Sequence, residues 1–469
     1  MNVALDAAQR ALGTTEAWIV GGVLRDELLE RETTDLDLVV ATDPGTAARA
    51  LAKEAKATAF ALSQTFGAWR VVARDGSWHA DISALVGDDI VADLGQRDFT
   101  INAMARRLGD ETLIDPWAGR ADLAAGRLRM VSPAAFAADP LRTLRLARFA
   151  CELDFAVDPE TVTAARSHAA KVVDVAQERV FSELRRIIIS PRVLDGLATM
   201  DNLALTAPVL PELAALRGVE QNAYHHLDVH DHTLAVLGAL IEIENDPEPL
   251  FGQLAPALSA VLSQPLADDL SRAQALRFGA LLHDAAKPET RSVTDEGRIT
   301  FYHHDRIGAD LARSTLTRLK ASERLRAYVA ALTLYHLHLG FLVHERPLTL
   351  RAIYGYLDTC EPVEVDVTVL SVADRLATRG RKADEAIAKH LELAREMMAP
   401  ALRWKSDGRP PALLRGDELA EACDLPPGPI VGEILAELAK ARYAGEISTR
   451  DDALRLAADL AAQSKPTTS

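Results

Sequence analysis

IVGGVLRDELLERETTDLDLVV, residues 19–40, decides the fold of the first part of the chain. The apolar run AWIV (17–20) reads as a strand, and Gly21-Gly22 directly after it opens a helix. Backbone N–H groups at such a junction can approach a triphosphate. Arg25 and Asp26 lie one turn into that helix, where a guanidinium can grip phosphate through two N–H donors. Asp35 and Asp37 are one residue apart on a strand, so both carboxylates point to one face. They repel each other unless a cation sits between them, which is what a Mg²⁺ pair needs for in-line phosphoryl transfer. Asp81, in the strand-like run SWHADI (77–82), is the natural third ligand.

Working outward, LDLVV (36–40), AWRVVAR (68–74) and SWHADI complete a small mixed sheet, and from about residue 120 the pattern is helical almost without interruption. The expected fold is therefore α+β, a small mixed-sheet head followed by a long all-α body. Pro/Gly punctuation predicts a head at 1–125, a helical neck at 126–215, a third domain at 216–395 and a helical tail at 396–469, with SKPTTS frayed at the end. A chain of 469 residues needs several cores. Three widely spaced cysteines, Cys151, Cys360 and Cys423, form no CxxC and read as buried small side chains in a reducing compartment. The first residues lack a basic stretch followed by an apolar one, and no apolar run reaches membrane-spanning length, so a cytoplasmic protein without a membrane partner is expected.

Residues 225–374 carry a second set of ligands: His232, the pair His283-Asp284 in LLHDAAKP, His304, His336 and Asp374. Each sits in or beside an apolar helical run, where an unpaired His or Asp is costly to bury. One cation bound by His232, His283, Asp284 and Asp374 removes that cost. His304 and His336 can hold a second, giving a two-metal hydrolytic site. Lys287, one turn after His283-Asp284, can meet a phosphate.

With these motifs in order, the chain resembles the class II tRNA nucleotidyltransferase and bacterial poly(A) polymerase family. RDFTINAMA (97–105) resembles the ribose-selecting motif, which implies that Arg97, Asp98 and Asn102 hold the nucleotide sugar. DPWAGRADL (115–123) resembles the turn into the neck. ADPLRTLRLARF (138–149) resembles the protein template that selects the base, and implies Asp139 and Arg142 as the base-reading pair, with Arg145 and Arg148 continuing the helix face. On a helix, residues at i and i+3 are neighbours, and an acid with an arginine offers acceptors and donors to a base edge. ERVFSELRRIII (178–189) resembles the last motif, implying that Glu178, Arg179 and Glu183 brace the neck. The chain departs from the family at Gln96, where an arginine is usual, and at Ala138, where a glutamate is usual. Residues 225–374 resemble the HD phosphohydrolase superfamily. That implies a divalent transition metal (Mn, Ni, Co, Fe or Zn) and phosphatase or 2′,3′-cyclic phosphodiesterase activity on damaged RNA ends.

The resemblance implies addition of CMP and/or AMP, from CTP and ATP, to the 3′ end of tRNA. Residues 97–148 hold nine arginines, no lysine and six acids, a net +3 inside a chain of net charge −16, which suits an RNA-facing neck. The competing readings are a poly(A) polymerase on the same scaffold, CC-only addition, and an HD phosphohydrolase with a nucleotide-binding head. Intact Asp35, Asp37 and Asp81 argue against the last. Members that complete CCA resemble one another in a longer loop between the third carboxylate and the ribose motif. Here only the fifteen residues ISALVGDDIVADLGQ separate Asp81 from Arg97, which points toward CC-only addition.

Overall fold

Alternation along DLDLVV sets the two faces of the first sheet. The computed structural model describes residues 2–63, 67–222, 225–380 and 383–464; residues 465–469 of the SKPTTS tail lie outside them. The strands are β1 (Ala17–Val20), β2 (Asp35–Val40), β3 (Thr58–Ser63), β4 (Ala68–Val72), β5 (His79–Ala84), β6 (Ala105–Arg107) and β7 (Leu113–Ile114), in sheet order β3-β4-β5-β2-β1-β6-β7. Leu36, Leu38 and Val40 turn to one side, into a core with Ile19, Val71, Ala80 and Ile82. Helices α1 (Asn2–Leu12) and α3 (Pro44–Ala55) cover that side with Ala4, Ala8, Ala48 and Leu51. Val39 turns to the other side with Trp18, Val20, Ile90 and Leu94. Asp35 and Asp37 share the face of Val39 by the strand period of two. Burying each of these Leu and Ile side chains contributes roughly 1.5–3 kcal/mol.

Strands β2 and β5 are parallel, pairing Asp37 with Asp81 and Asp35 with His79. Strand β1 is antiparallel to β2, so it ends where β2 begins and delivers Gly21 beside Asp37. Strands β3, β6 and β7 were not legible in the sequence. The last two are three and two residues long and exist through pairing with β1 and with each other.

The same unit, Met1–Val209, continues into helices. Helix Leu141–Leu153 packs against Gln177–Ile189 and Val193–Asn202. The three meet closely at Gly196, where a Cβ would stand 2.8 Å from Ile187 and 3.1 Å from the Cys151 sulfur.

The second unit, Leu210–Ser469, is mainly helical. Helix Val229–Asn245 packs on Glu364–Ala377, and Arg272–Leu282 packs on Glu323–Tyr335, which also lies along His304–Arg318. A 25-residue helix, Ala383–Asp407, runs through Pro400, and three shorter helices from Gly416 onward gather their own apolar core. By length and composition the segment Glu323–His344 is apolar enough to cross a membrane, unlike the sequence expectation. It is broken after Tyr335, buries Leu325, Val329 and Leu332 in the second unit, and brings in His336.

Candidate active site and metal centre

In the first unit the chain crosses from β1 into helix α2 (Gly22–Leu28) through Gly21, whose φ of +72° suits a residue without a side chain. A Cβ there would stand 3.0 Å from Arg97 Nη1 and 3.6 Å from Asp37 Oδ2. The strand end, Arg97 and a carboxylate therefore converge on one backbone position. Burial, and next the charge of Asp81, push the Asp37 carboxyl up to about 6, while Arg97 pulls the other way. A group so placed gains from a cation. The donors are all oxygens, the set that hard divalent cations take.

The three carboxylates are not drawn into one tight cluster. Asp35 Oδ1 accepts from Thr34 Oγ1 at 3.0 Å and lies 3.3 Å from His79 Nε2, and both oxygens of Asp81 are held by Arg70. Neither His79 nor Arg70 was singled out from the sequence; strand alternation in AWRVVAR and SWHADI would have put both on the carboxylate face.

Around this centre the motif residues form one network. Arg25 Nη1 donates to Asn102 Oδ1 at 2.9 Å, and its fork also grips Asp26. Asn102 Nδ2 donates to Asp98 Oδ1 at 3.0 Å, and Arg145 Nη1 donates to Asp98 Oδ2 at 3.0 Å. Burial works to raise the Asp98 carboxyl, but Arg145 and hydrogen bonds from Asn102 and the Phe99 backbone hold it below its ordinary range. Arg145 Nε also donates to Glu183 at 3.2 Å. Arg148 is buried, 3.0 Å from Glu183 Oε2 with its guanidinium 4.2 Å from the Phe149 ring centre. Burial lowers it to about 10 against the pull of Glu183. Arg148, expected to continue the helix face of Arg142 and Arg145, is instead buried against Glu183 and Phe149.

Asp139 is not on the helix Leu141–Leu153 but just before it, with extended backbone, because Pro140 fixes the chain at the helix entry. Its Oδ1 accepts from Leu141 N at 3.2 Å and its Oδ2 from Arg179 at 2.7 Å. Arg142 donates to backbone carbonyls of Gln96 at 2.7 Å, Arg97 at 3.3 Å and Ala135 at 3.2 Å. The Nε atoms of Arg97 and Arg142 are buried without a hydrogen-bond partner among the described residues. The connector after Asp81 is short and pinned. Asp89 caps helix Ile90–Leu94, and buried Asp93 accepts from Val86 N at 3.1 Å and Arg97 at 3.2 Å.

In the second unit all six sequence-selected ligands come together. His232 Nε2 lies 3.0 Å from Asp374, and His283 Nε2 lies 3.2 Å from Asp284. Asp284 Oδ1 lies 3.5 Å from His304 Nε2 and 3.9 Å from His336 Nε2. Two ligand groups result, His232–His283–Asp374 and Asp284–His304–His336. Backbone carbonyls of Ala280, Phe301 and Thr333 meet the Nδ1 atoms of His283, His304 and His336 at 2.8, 2.7 and 2.6 Å. Each Nδ1 therefore keeps its proton, and each Nε2 lone pair faces the centre. Among the described residues, His232 Nε2, His283 Nε2 and both Asp284 oxygens are buried with no properly formed hydrogen bond, the condition a cation relieves.

Burial opposes charge on Asp284, but His283 and Lys287 hold it well below the carboxylate range. Burial, then the charge of His283, brings His336 down to about 3 and keeps the ring in its ligating neutral form. Lys287 Nζ donates to Gln221 at 2.7 Å and lies 2.7 Å from Asp284. A cavity of about 1150 Å³ opens over Asp284, His304, His336 and Asp374, with Lys287, Arg298 and Arg346 in its wall. His225 and His390 also line it, the first edge-on to His232 and the second 3.1 Å from Ser371 Oγ. Their spacing in the sequence gave no ligand pattern.

Family models match the segments that carry both sites. The Poly A polymerase head domain matches residues 17–129, the probable RNA and SrmB-binding site of polymerase A matches 154–216, and the HD domain matches 229–379. The chain is 36% identical to an A-adding tRNA nucleotidyltransferase of Deinococcus radiodurans, over 93% of this chain and 94% of that one. It is 32% identical to a CC-adding tRNA nucleotidyltransferase of Thermus thermophilus, over 93% and 92%. A solved CCA-adding enzyme with ATP shares the fold with a TM-score of 0.63, at 19% identity over 97% of this chain and 94% of that one. The chain belongs to the tRNA nucleotidyltransferase and poly(A) polymerase family, and is a nucleotidyltransferase in which an HD domain follows the polymerase head.

Proposed function

We propose that this enzyme transfers CMP and AMP from CTP and ATP to the 3′ end of tRNA in the cytoplasm, with Asp35, Asp37 and Asp81 holding Mg²⁺. The observation that carries the reading is the pairing of Asp37 with Asp81 on parallel strands, with Gly21 and Arg97 beside Asp37. Mg²⁺ bound there would supply charge neutralisation at the triphosphate and a more acidic attacking 3′-hydroxyl. Arg25, Gly21 and Gly22 bind and orient the triphosphate. Asp98, Asn102 and Arg97 hold the sugar, with Arg145 fixing Asp98. Asp139 and Arg142 read the base edge, and the unpartnered Nε atoms of Arg97 and Arg142 are donors still to be satisfied. Arg148 acts behind them by holding Glu183.

Incubating the purified protein with tRNA ending before CCA, and CTP, ATP or both, tests this reading directly. The expected product is three nucleotides longer when both are supplied, and Asp37→Ala abolishes it. The second reading is partial addition. The short connector pinned by Asp93 favours it, since that connector offers little slack to re-form the site for a larger base. A product that stops at two nucleotides supports this second reading and overturns full CCA addition.

The HD centre supports a separate phosphatase or 2′,3′-cyclic phosphodiesterase activity. The mixed histidine and carboxylate donors fit Mn, Ni, Co, Fe or Zn. Lys287 and the cavity arginines would bind the phosphate.

A further inference from the structure

Strand β4 brings a cation onto the level of the sheet where the carboxylates stand. Arg70 pairs across the strands with Asp81, which in turn pairs with Asp37. Arg70 Nε donates to Asp81 Oδ1 at 2.7 Å, and Nη2 donates to Oδ2 at 2.7 Å. Both side chains are about two-thirds covered, at 33% and 31% exposure. The fork is planar and holds a carboxylate in one orientation, which a lysine cannot do. Each carboxylate oxygen has about two acceptor positions, and the fork uses one on each, so the others remain for a cation. Among the described residues Asp35 has no such clamp, only Thr34 and His79 near one oxygen.

We propose that Arg70 is a positioning residue for nucleotide addition. It holds Asp81 in a fixed orientation beside Asp37, so that a divalent cation meets a two-carboxylate site already built. The inference rests on the head carboxylates being the metal ligands. Partners that orient a ligating carboxylate change metal affinity or activity by about 10- to 100-fold when removed. The positive charge of Arg70 acts in the opposite sense, repelling the cation, so the sign of the effect decides between an organiser and a competitor.

The test compares full-length wild type, Arg70→Met, Arg70→Lys and Asp37→Ala. Binding of Mn²⁺ is followed by electron paramagnetic resonance, with the ions lost in Asp37→Ala marking the head site. The Mg²⁺ dependence of CTP incorporation is measured in parallel. Arg70→Met is expected to weaken head Mn²⁺ binding and raise the half-saturating Mg²⁺ by about 10- to 100-fold. At saturating Mg²⁺ the KM for CTP stays at its wild-type value. Arg70→Lys keeps a hydrogen-bond donor for Asp81 but not the fork, and recovers only part of the loss; it also carries the test if Arg70→Met does not fold. Wild-type Mn²⁺ binding and Mg²⁺ response in a folded Arg70 variant overturn the proposal, and so does tighter binding. If Asp37→Ala keeps both its Mn²⁺ and its activity, the reading of the head carboxylates fails instead, and the proposal with it.

Discussion

Asp37 on β2 is the cross-strand partner of Asp81 on β5, so two carboxylates stand side by side on one face of a parallel strand pair. Burial first, and Asp81 next, raise the Asp37 carboxyl to about 6, above its unfolded value near 3.8. The folded state therefore binds the proton more tightly. Its stability without metal falls as pH rises from about 4 through about 6. A shift of about two pH units corresponds to about 3 kcal/mol. Asp37→Asn in EDTA should melt above wild type at pH 8, and the gap should close as the pH approaches 4. Equal melting temperatures at pH 8 would show that the ionised group carries no strain.

Base choice should depend on how Arg142 and Asp139 are anchored. Arg142→Ala removes three hydrogen bonds to backbone carbonyls, and Arg179→Ala frees Asp139. Each should raise UTP or GTP misincorporation by about 10-fold or more, in line with the 1–3 kcal/mol that a lost buried partner typically costs. Single-turnover incorporation of all four nucleotides measures it. Unchanged selectivity in both variants would move base reading elsewhere in the neck.

Breaking the Arg145–Asp98 pair should cost stability as well as activity. Asp98 is 6% exposed, and Arg145→Met would leave its carboxylate buried without a charge partner. Loss of one member of a buried pair costs about 3–5 kcal/mol, and the partial exposure of Arg145 brings the expectation to about 2–3 kcal/mol. Urea unfolding reads this out. Asp98→Asn in the same chain should recover part of it.

Metal content should follow the HD histidines. His283→Ala combined with Asp284→Ala takes one member from each ligand group and should lower bound transition metal to background. Any phosphatase or cyclic phosphodiesterase activity should go with it. Elemental analysis after loading with Mn, Ni, Co, Fe and Zn checks this. Retention of metal by the double variant would place the ion elsewhere.

Much of this was legible from spacing. A one-residue gap in DLD fixes a shared face on any strand, and the order of His232, His283-Asp284, His304, His336 and Asp374 marks helices that must meet. What spacing does not carry is partnership across strands. Arg70 reaches Asp81 because β4 and β5 pair in one particular register, and no local pattern near Arg70 states that register. Gln221 reaches Lys287, and His225 and His390 join the HD cavity, by the same kind of long-range packing. Asp139 was expected on a helix because i,i+3 spacing suits one, but Pro140 puts the helix start after it.

The grip of Arg142 on the carbonyls of Gln96 and Arg97 has a consequence for mutation. A main-chain acceptor is the same whatever side chain it bears, so this contact is blind to the residue at position 96. The glutamine there, where the resemblance led us to expect arginine, leaves the anchor untouched. A saturation library at 96 should tolerate most side chains other than proline, whereas position 142 should accept almost none.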